Sequence, residues 1–197
     1  MIILATRNAH KVEEVRNILA PLLPSVPSIS PVPAQLPEPV EDGATFAENA
    51  IIKANQVVRE LGVPAIADDS GLCVDILGGA PGIFSARWSG RHGDDAANLD
   101  LLLAQLADVK PAQRGARFVC AAALALPDGT VVVEEGHMAG QLRYERAGEG
   151  GFGYDPIFQP EGYDVTNAQL SPADKNAISH RGKAFAALAP HIAQLLN

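Results

Sequence analysis

The stretch from Phe118 to Leu126, FVCAAALAL, is nine apolar residues followed by Pro127-Asp128-Gly129-Thr130 and then by Val131 to Glu135. It is the longest apolar run in the chain, far short of the ~20 residues that cross a membrane. A run of this length bounded by turn residues reads as a buried strand. The tetrapeptide PDGT reads as a hairpin-like turn into a second strand. Two further strand signals lie at Ile2 to Ala5 and Ala65 to Asp68.

Helical spacing is clear in four places. Ala9 to Ala20 carries Val12, Val15 and Leu19, with Leu22 beyond, on one face. A longer stripe of Ala47, Ala50, Ile51, Ala54, Val58 and Leu61 follows Thr45, with Glu48 three residues after it, the pattern of a capping box. Leu99, Leu102, Leu103 and Leu106 mark a third helix, and Phe185, Leu188, Ile192 and Leu195 a fourth. Pro190 is expected to kink or split that last helix. The proline-rich segment Pro21 to Pro39 reads as a short strand with flanking loops. Helices interleave with strands early and a hairpin comes late, which predicts an α/β fold around a mixed sheet. The 197 residues contain no internal repeat and suit one compact domain or two closely packed lobes.

A net charge of −8 argues against nonspecific nucleic-acid binding, which needs a basic face. It leaves room for a small anionic substrate held by a few local cations and a metal. The N-terminus MIILATRNAH starts apolar without a basic leader and reads as a first strand. Cys73 and Cys120 sit in apolar contexts without CxxC spacing and read as reduced core thiols of a cytoplasmic protein.

Five polar constellations stand out. Thr6-Arg7-Asn8-Ala9-His10-Lys11 joins the first strand to the first helix, where backbone N–H groups and the helix dipole receive anions. The plain alternative is that Asn8 caps the helix and Lys11 is solvated. Glu41-Asp42-Gly43 precedes the second helix and Lys53 lies within it; taken alone they read as a polar loop and an exposed helix lysine. Asp68 and Asp69, in ADDSGL, put two carboxylates at the expected end of a buried strand, on opposite faces. Carboxylates there are hard-oxygen ligands for Mg²⁺, which relieves their mutual repulsion. The alternative is an Asx-turn into Ser70-Gly71. Gly150 to Pro156 alternates glycines with Phe152 and Tyr154 before Asp155, a loop that offers a ring face to a flat heterocycle or simply turns over core aromatics. Ser179-His180-Arg181-Gly182-Lys183, with Lys175 upstream, gathers donors just before the last helix.

Together these blocks resemble the Ham1/RdgB-type inosine/xanthosine triphosphate pyrophosphatases. The match runs in order through LATRNAHK, FAENA, ADDSGL, GGAPGIFSARWSG, GGFGYDPIF and SHRGKA and covers nearly the whole chain. The resemblance implies an elongated α/β fold with a long twisted mixed sheet, residues 1–197 forming one domain of two lobes with a central substrate cleft, in a homodimer. It implies Mg²⁺-dependent hydrolysis of ITP, dITP and XTP to the monophosphate and pyrophosphate. Carried over by position, Thr6, Arg7, Asn8, Ala9, His10, Lys11 and Lys53 would grip phosphate. Glu41 and Asp69, with Asp68 beside them, would hold the metal, and Asp69 would accept the proton. Ser70, Phe152, Gly153, Tyr154, Asp155, Lys175, His180 and Arg181 would hold the nucleotide. Arg7 departs from the glycine of many relatives, adding a phosphate contact or shifting the loop. Tyr154 and Trp88 replace other aromatics. A Maf-like pyrophosphatase and a non-catalytic nucleotide-binding module are the competing readings.

Overall fold

The computed structural model describes residues 1–23 and 28–195. In chain order the elements are β1 (Ile2–Leu4), α1 (Ala9–Leu19), β2 (Ile29–Pro31), α2 (Phe46–Leu61), β3 (Ala65–Val74), α3 (Asp95–Gln105), β4 (Gly115–Ala125), β5 (Val131–Leu142), β6 (Phe158–Pro160), α4 (Pro172–Ile178) and α5 (His180–Gln194). The strands form one mixed sheet in the order β2-β1-β3-β4-β5-β6. β1 runs parallel to β2 and β3, with Ile3 opposite Ser30 and Ala65, while β5 and β6 are antiparallel. The expected strand in the proline-rich segment is β2; Pro24 to Pro27 lie outside the described residues.

The chain divides into two compact units: Met1–Asp69 with Cys120–Gly136 and His180–Asn197, and Ser70–Val119 with His137–Ser179. In the first unit, strand alternation builds two apolar layers. Ile2, Leu4, Ile66, Cys120, Ala122 and Leu124 pack with Val12, Val15 and Leu19 of α1 and Phe185, Leu188 and Ile192 of α5. Their neighbours Ile3, Ala65, Ala67, Ala121, Ala123 and Ala125 pack with Ala50, Ala54 and Val57 of α2. The two sets differ by one residue along each strand, as the period of two requires. Gly136 lets β5 approach the start of α5: a Cβ there would lie 2.1 Å from the His180 carbonyl oxygen. The second unit has its own core, in which Leu72, Val74, Leu99, Leu102, Phe118, Met138 and Phe158 meet. The Phe118 and Phe158 rings lie 4.7 Å apart at 56°, a tilted pair of the favoured kind.

The turn after β4 forms as expected: Leu126 N–H donates to Thr130 O at 2.9 Å and Asp128 Oδ1 accepts from Thr130 N–H at 2.9 Å. Cys73 and Cys120 are free and buried. Among the described residues no helix is long and apolar enough to cross a membrane. Three expectations are corrected. β3 does not end at Asp68; it continues to Val74, and Gly71 is not among the left-handed glycines, so no turn follows Ser70. Leu72 and Val74 keep the alternation going into a fully buried core, which holds the chain extended. Pro190 does not split the last helix: it lies exposed inside the single helix α5, between the buried Ala189 and Ile192. That helix starts at His180, so His180 and Arg181 occupy its first turn.

Candidate active site

The alternation of β3 separates the two aspartates. Ile66 belongs to the layer under α1 and α5, and Asp68, two residues on, shares that face. Its Oδ2 accepts from Lys11 Nζ at 3.2 Å and from Arg181 Nε and Nη2 at 3.2 and 3.1 Å. Arg181 Nη1 in turn donates to Glu14 Oε2 at 2.6 Å. Two cations and two carboxylates thus form a neutral set around a buried centre. Burial alone would push the Asp68 carboxyl up, but the charges of Lys11 and Arg181, with Lys53 behind them, hold it well below the usual carboxylate range. Burial would likewise depress the Arg181 guanidinium, and Asp68 and Glu14 outweigh it, so its pKa is raised. Asp68 Oδ1 is buried with no hydrogen-bond partner among the described residues.

Asp69 faces α2, with Ala65 and Ala67. Lys53 Nζ lies 3.2 Å from Asp69 Oδ1 and 3.4 Å from Glu41 Oε1, so two carboxylates converge on one ammonium. Asn49 Nδ2 donates to Asp69 Oδ2 at 3.2 Å. Burial pushes the Asp69 carboxyl up and the Glu41 charge adds to this, against Lys53, Lys11 and the Asn49 hydrogen bond; the net shift is upward. For Lys53, burial lowers the ammonium's pKa, but Asp69, Asp68 and Glu41 more than offset it.

The strand-to-helix turn is built by its own side chains. Thr6 Oγ1 accepts from Asn8 N–H at 3.2 Å, and Asn8 Oδ1 caps α1 by accepting from Lys11 N–H at 3.2 Å. Ala9 and His10 are exposed. Arg7 points to the segment before Glu41: it pairs with Glu38 at 3.1 Å and donates to Ala34 O at 3.2 Å and to Leu36 O. Gln56 Nε2 holds the same segment from α2 by donating to Pro37 O at 2.7 Å. The capping box at α2 is stretched by one residue, since Thr45 Oγ1 accepts from Glu48 N–H but Glu48 Oε2 accepts from Ala44 N–H.

In the second unit Asp155 organises the glycine-rich loop. Its Oδ2 accepts from Phe152 N–H at 3.0 Å and from Lys175 Nζ at 2.8 Å, and its Oδ1 from Asn167 Nδ2 at 3.0 Å. Lys175 Nζ also lies 5.2 Å from the centre of the Phe152 ring, a cation–π distance. Tyr154 is buried, its hydroxyl donating to Ser85 O at 2.9 Å, and Gly153 N–H donates to Asp95 Oδ2 at 3.0 Å. Phe152 is half-buried, as is Ser70 on β3.

The structure thus brings together two sets in the first unit, Lys11–Asp68–Arg181 and Glu41–Lys53–Asp69, and one in the second, Phe152–Asp155–Lys175. It does not bring Asp68 into a ligand set with Glu41 and Asp69. Among the described residues no three His, Cys, Asp or Glu side chains gather as a metal site, because successive residues of β3 face opposite ways. The Arg181 fork, expected to be offered to a ligand, is turned onto Asp68 and Glu14, and the residue is only 1% exposed. Two residues went unread in the sequence. Glu14 lies in the second turn of α1 and meets Arg181 only in the fold. Asn49 had a signal: it stands four residues before Lys53, one turn away on the same helix face.

Similarity to known proteins gives these sets a context. The Ham1 family model matches residues 2–191, and the chain belongs to the Ham1 family. A Streptomyces avermitilis protein named dITP/XTP pyrophosphatase is 61% identical over 198 residues, spanning 100% of this chain and 98% of that protein. A crystal structure of the nucleoside-triphosphatase / dITP/XTP pyrophosphatase of Mycobacterium abscessus superimposes with a TM-score of 0.77 at 49% identity, covering 96% of this chain and 98% of that one. The Staphylococcus aureus Ham1 protein reaches a TM-score of 0.86 at 37% identity, with 98% of both chains covered.

Proposed function

We propose that this protein hydrolyses non-canonical purine nucleoside triphosphates, dITP, ITP and XTP, to the monophosphate and pyrophosphate. The observation that carries the reading is the convergence of Glu41 and Asp69 on Lys53. It supplies two hard oxygen ligands and a cation at one place, as triphosphate chemistry needs. The activity named for the relatives gives the substrate class.

Two convergent carboxylates suit Mg²⁺, which is commonly held by one or two carboxylates plus substrate phosphates. Glu41 and Asp69 would hold it, and when bound it supplies charge neutralisation at the phosphates. Asp69 orients the attacking water and accepts its proton as the water attacks the α-phosphorus. Lys53 and Lys11 balance the charge that grows on the departing pyrophosphate, with the exposed Ala9–His10 start of α1 beside it. Asp68, tied to Arg181 and Lys11, sets the position of the Lys11 ammonium. Phe152 stacks on the base, and Lys175 and Asp155 fix that ring's loop. Arg181, closed onto Asp68 and Glu14, steadies the Lys11–Asp68 set and is not turned to the base; a donor opposite the purine 6-position would favour a 6-oxo over a 6-amino base, since a mismatched base leaves buried groups unpaired. The homodimer and the cytoplasmic location implied by the family resemblance complete the proposal.

The test is incubation with Mg²⁺ and a panel of dITP, ITP, XTP, GTP, ATP and UTP, with product identification. Monophosphate and pyrophosphate from the 6-oxo purines support the proposal. Diphosphate and phosphate, or no turnover, refute it. Light scattering of the purified protein tests the dimer.

A further inference from the structure

Asn49 sits near the start of α2, 1% exposed, and makes two hydrogen bonds that join otherwise separate parts of the site. Its Oδ1 accepts from Gly43 N–H at 2.9 Å, and its Nδ2 donates to Asp69 Oδ2 at 3.2 Å. The orientation of the amide is fixed by chemistry. A backbone N–H requires an acceptor opposite it and a carboxylate requires a donor, so a flipped amide would fail at both ends. Gly43 is two residues after Glu41, and it is a glycine for a steric reason: a Cβ there would lie 2.7 Å from Asn49 Oδ1 and 2.7 Å from Glu48 Cβ. The side chain of Asn49 therefore ties the loop carrying Glu41 to the strand carrying Asp69.

The consequence concerns which oxygen of Asp69 is offered. With Oδ2 committed to the amide, Oδ1 is left toward Lys53 and Glu41. We infer that Asn49 is a positioning residue that fixes the Asp69 carboxylate and the Glu41 loop in one register, so that their oxygens converge on a common cation. The inference rests on the roles of Glu41 and Asp69 proposed above. Polar groups that orient carboxylate ligands are commonly worth 10–100-fold in metal affinity or activity.

The test uses Asn49→Ala and, from the other end, Gly43→Ala, which pushes the Asn49 amide by its added methyl. Mn²⁺ binding to the nucleotide-free protein is measured by water-proton relaxation, and kcat and KM are measured with dITP. Both variants are expected to weaken Mn²⁺ binding and lower kcat by about 10-fold or more with KM for nucleotide within about 3-fold. The double variant is expected to lose little beyond either single one. Wild-type Mn²⁺ affinity and kcat in a folded Asn49→Ala protein would overturn the inference. If Asn49→Ala does not fold, Gly43→Ala decides in the same way. Additive losses in the double variant also overturn it. Mn²⁺ binding needs no nucleotide, so a wrong substrate class fails in the panel and leaves this outcome readable.

Discussion

Replacing Asp68 by asparagine removes one charge from a buried set of four and leaves its shape intact. The amide oxygen of the substituted side chain would take the place of Oδ2 before Lys11 and Arg181. Its NH₂ group would then fall where Asp68 Oδ1 now lies, a buried position with no partner among the described residues. Arg181, 1% exposed, would keep Glu14 as a carboxylate partner. Breaking a buried pair on one side costs about 3–5 kcal/mol, and for a chain of this size each kcal/mol moves Tm by about 2–4 °C. Urea unfolding of Asp68→Asn at about pH 7 should show a loss in that range, with a Tm lower by roughly 6–20 °C. The sign with pH is fixed by linkage. A carboxyl held below its ordinary value of 3.8 in the folded state stabilises fully above that value, and the contribution is lost as pH falls through it toward the folded pKa. The gap between wild type and variant should therefore be constant from about pH 7 to 5 and shrink as pH drops below about 4. A loss under about 1 kcal/mol, or a gap that does not shrink in acid, would show that Asp68 is not held by these cations in solution.

Asp69→Asn should lower kcat by about 100-fold or more while nucleotide still binds, read by steady-state kinetics and by binding of a non-hydrolysable analogue; near-normal turnover at saturating Mg²⁺ removes the base role. Arg7→Ala releases the Ala34–Glu38 segment from one of the two side chains that hydrogen-bond its carbonyls, so limited proteolysis should cut there several-fold faster, with Tm changed by no more than about 2 °C. Phe152→Ala should raise KM for every purine triphosphate by a similar factor, since stacking is blind to base identity; a changed ITP-over-ATP ratio would assign the ring a selective role. Arg181→Ala should cost about 3–5 kcal/mol in urea unfolding, since it leaves buried Asp68 with Lys11 alone and Glu14 without its guanidinium partner.

Local sequence was sufficient where the interaction is itself local. The hairpin turn at Asp128-Gly129, the Thr45 cap and most of the apolar stripes of α1 and α2 depend on residues a few positions apart and formed at or near their expected places, whereas Leu22 and Leu61, expected on those stripes, are exposed and α2 buries Val57. Even the opposite facing of Asp68 and Asp69 was legible, because strand geometry alone requires it. The extent of β3 was not legible. Ser70-Gly71 carries a turn signal, and only the burial of Leu72 and Val74 in a distant core overrides it. The partners of the charged residues were hidden for the same reason. Glu14, Asp68 and Arg181 are separated by long stretches of chain, and only the packing of α1 and α5 over one face of the sheet makes them neighbours. Asn49 shows the boundary between the two. Its spacing from Lys53 placed both on one helix face, but the closeness of Gly43 and Asp69, which gives its amide two partners, follows from how α2 lies on the alanine face of the sheet. Sequence set the helix, the strand and the direction of each side chain; the layer-on-layer packing chose which charges meet, because only burial makes an unpaired charge costly enough to select its partner.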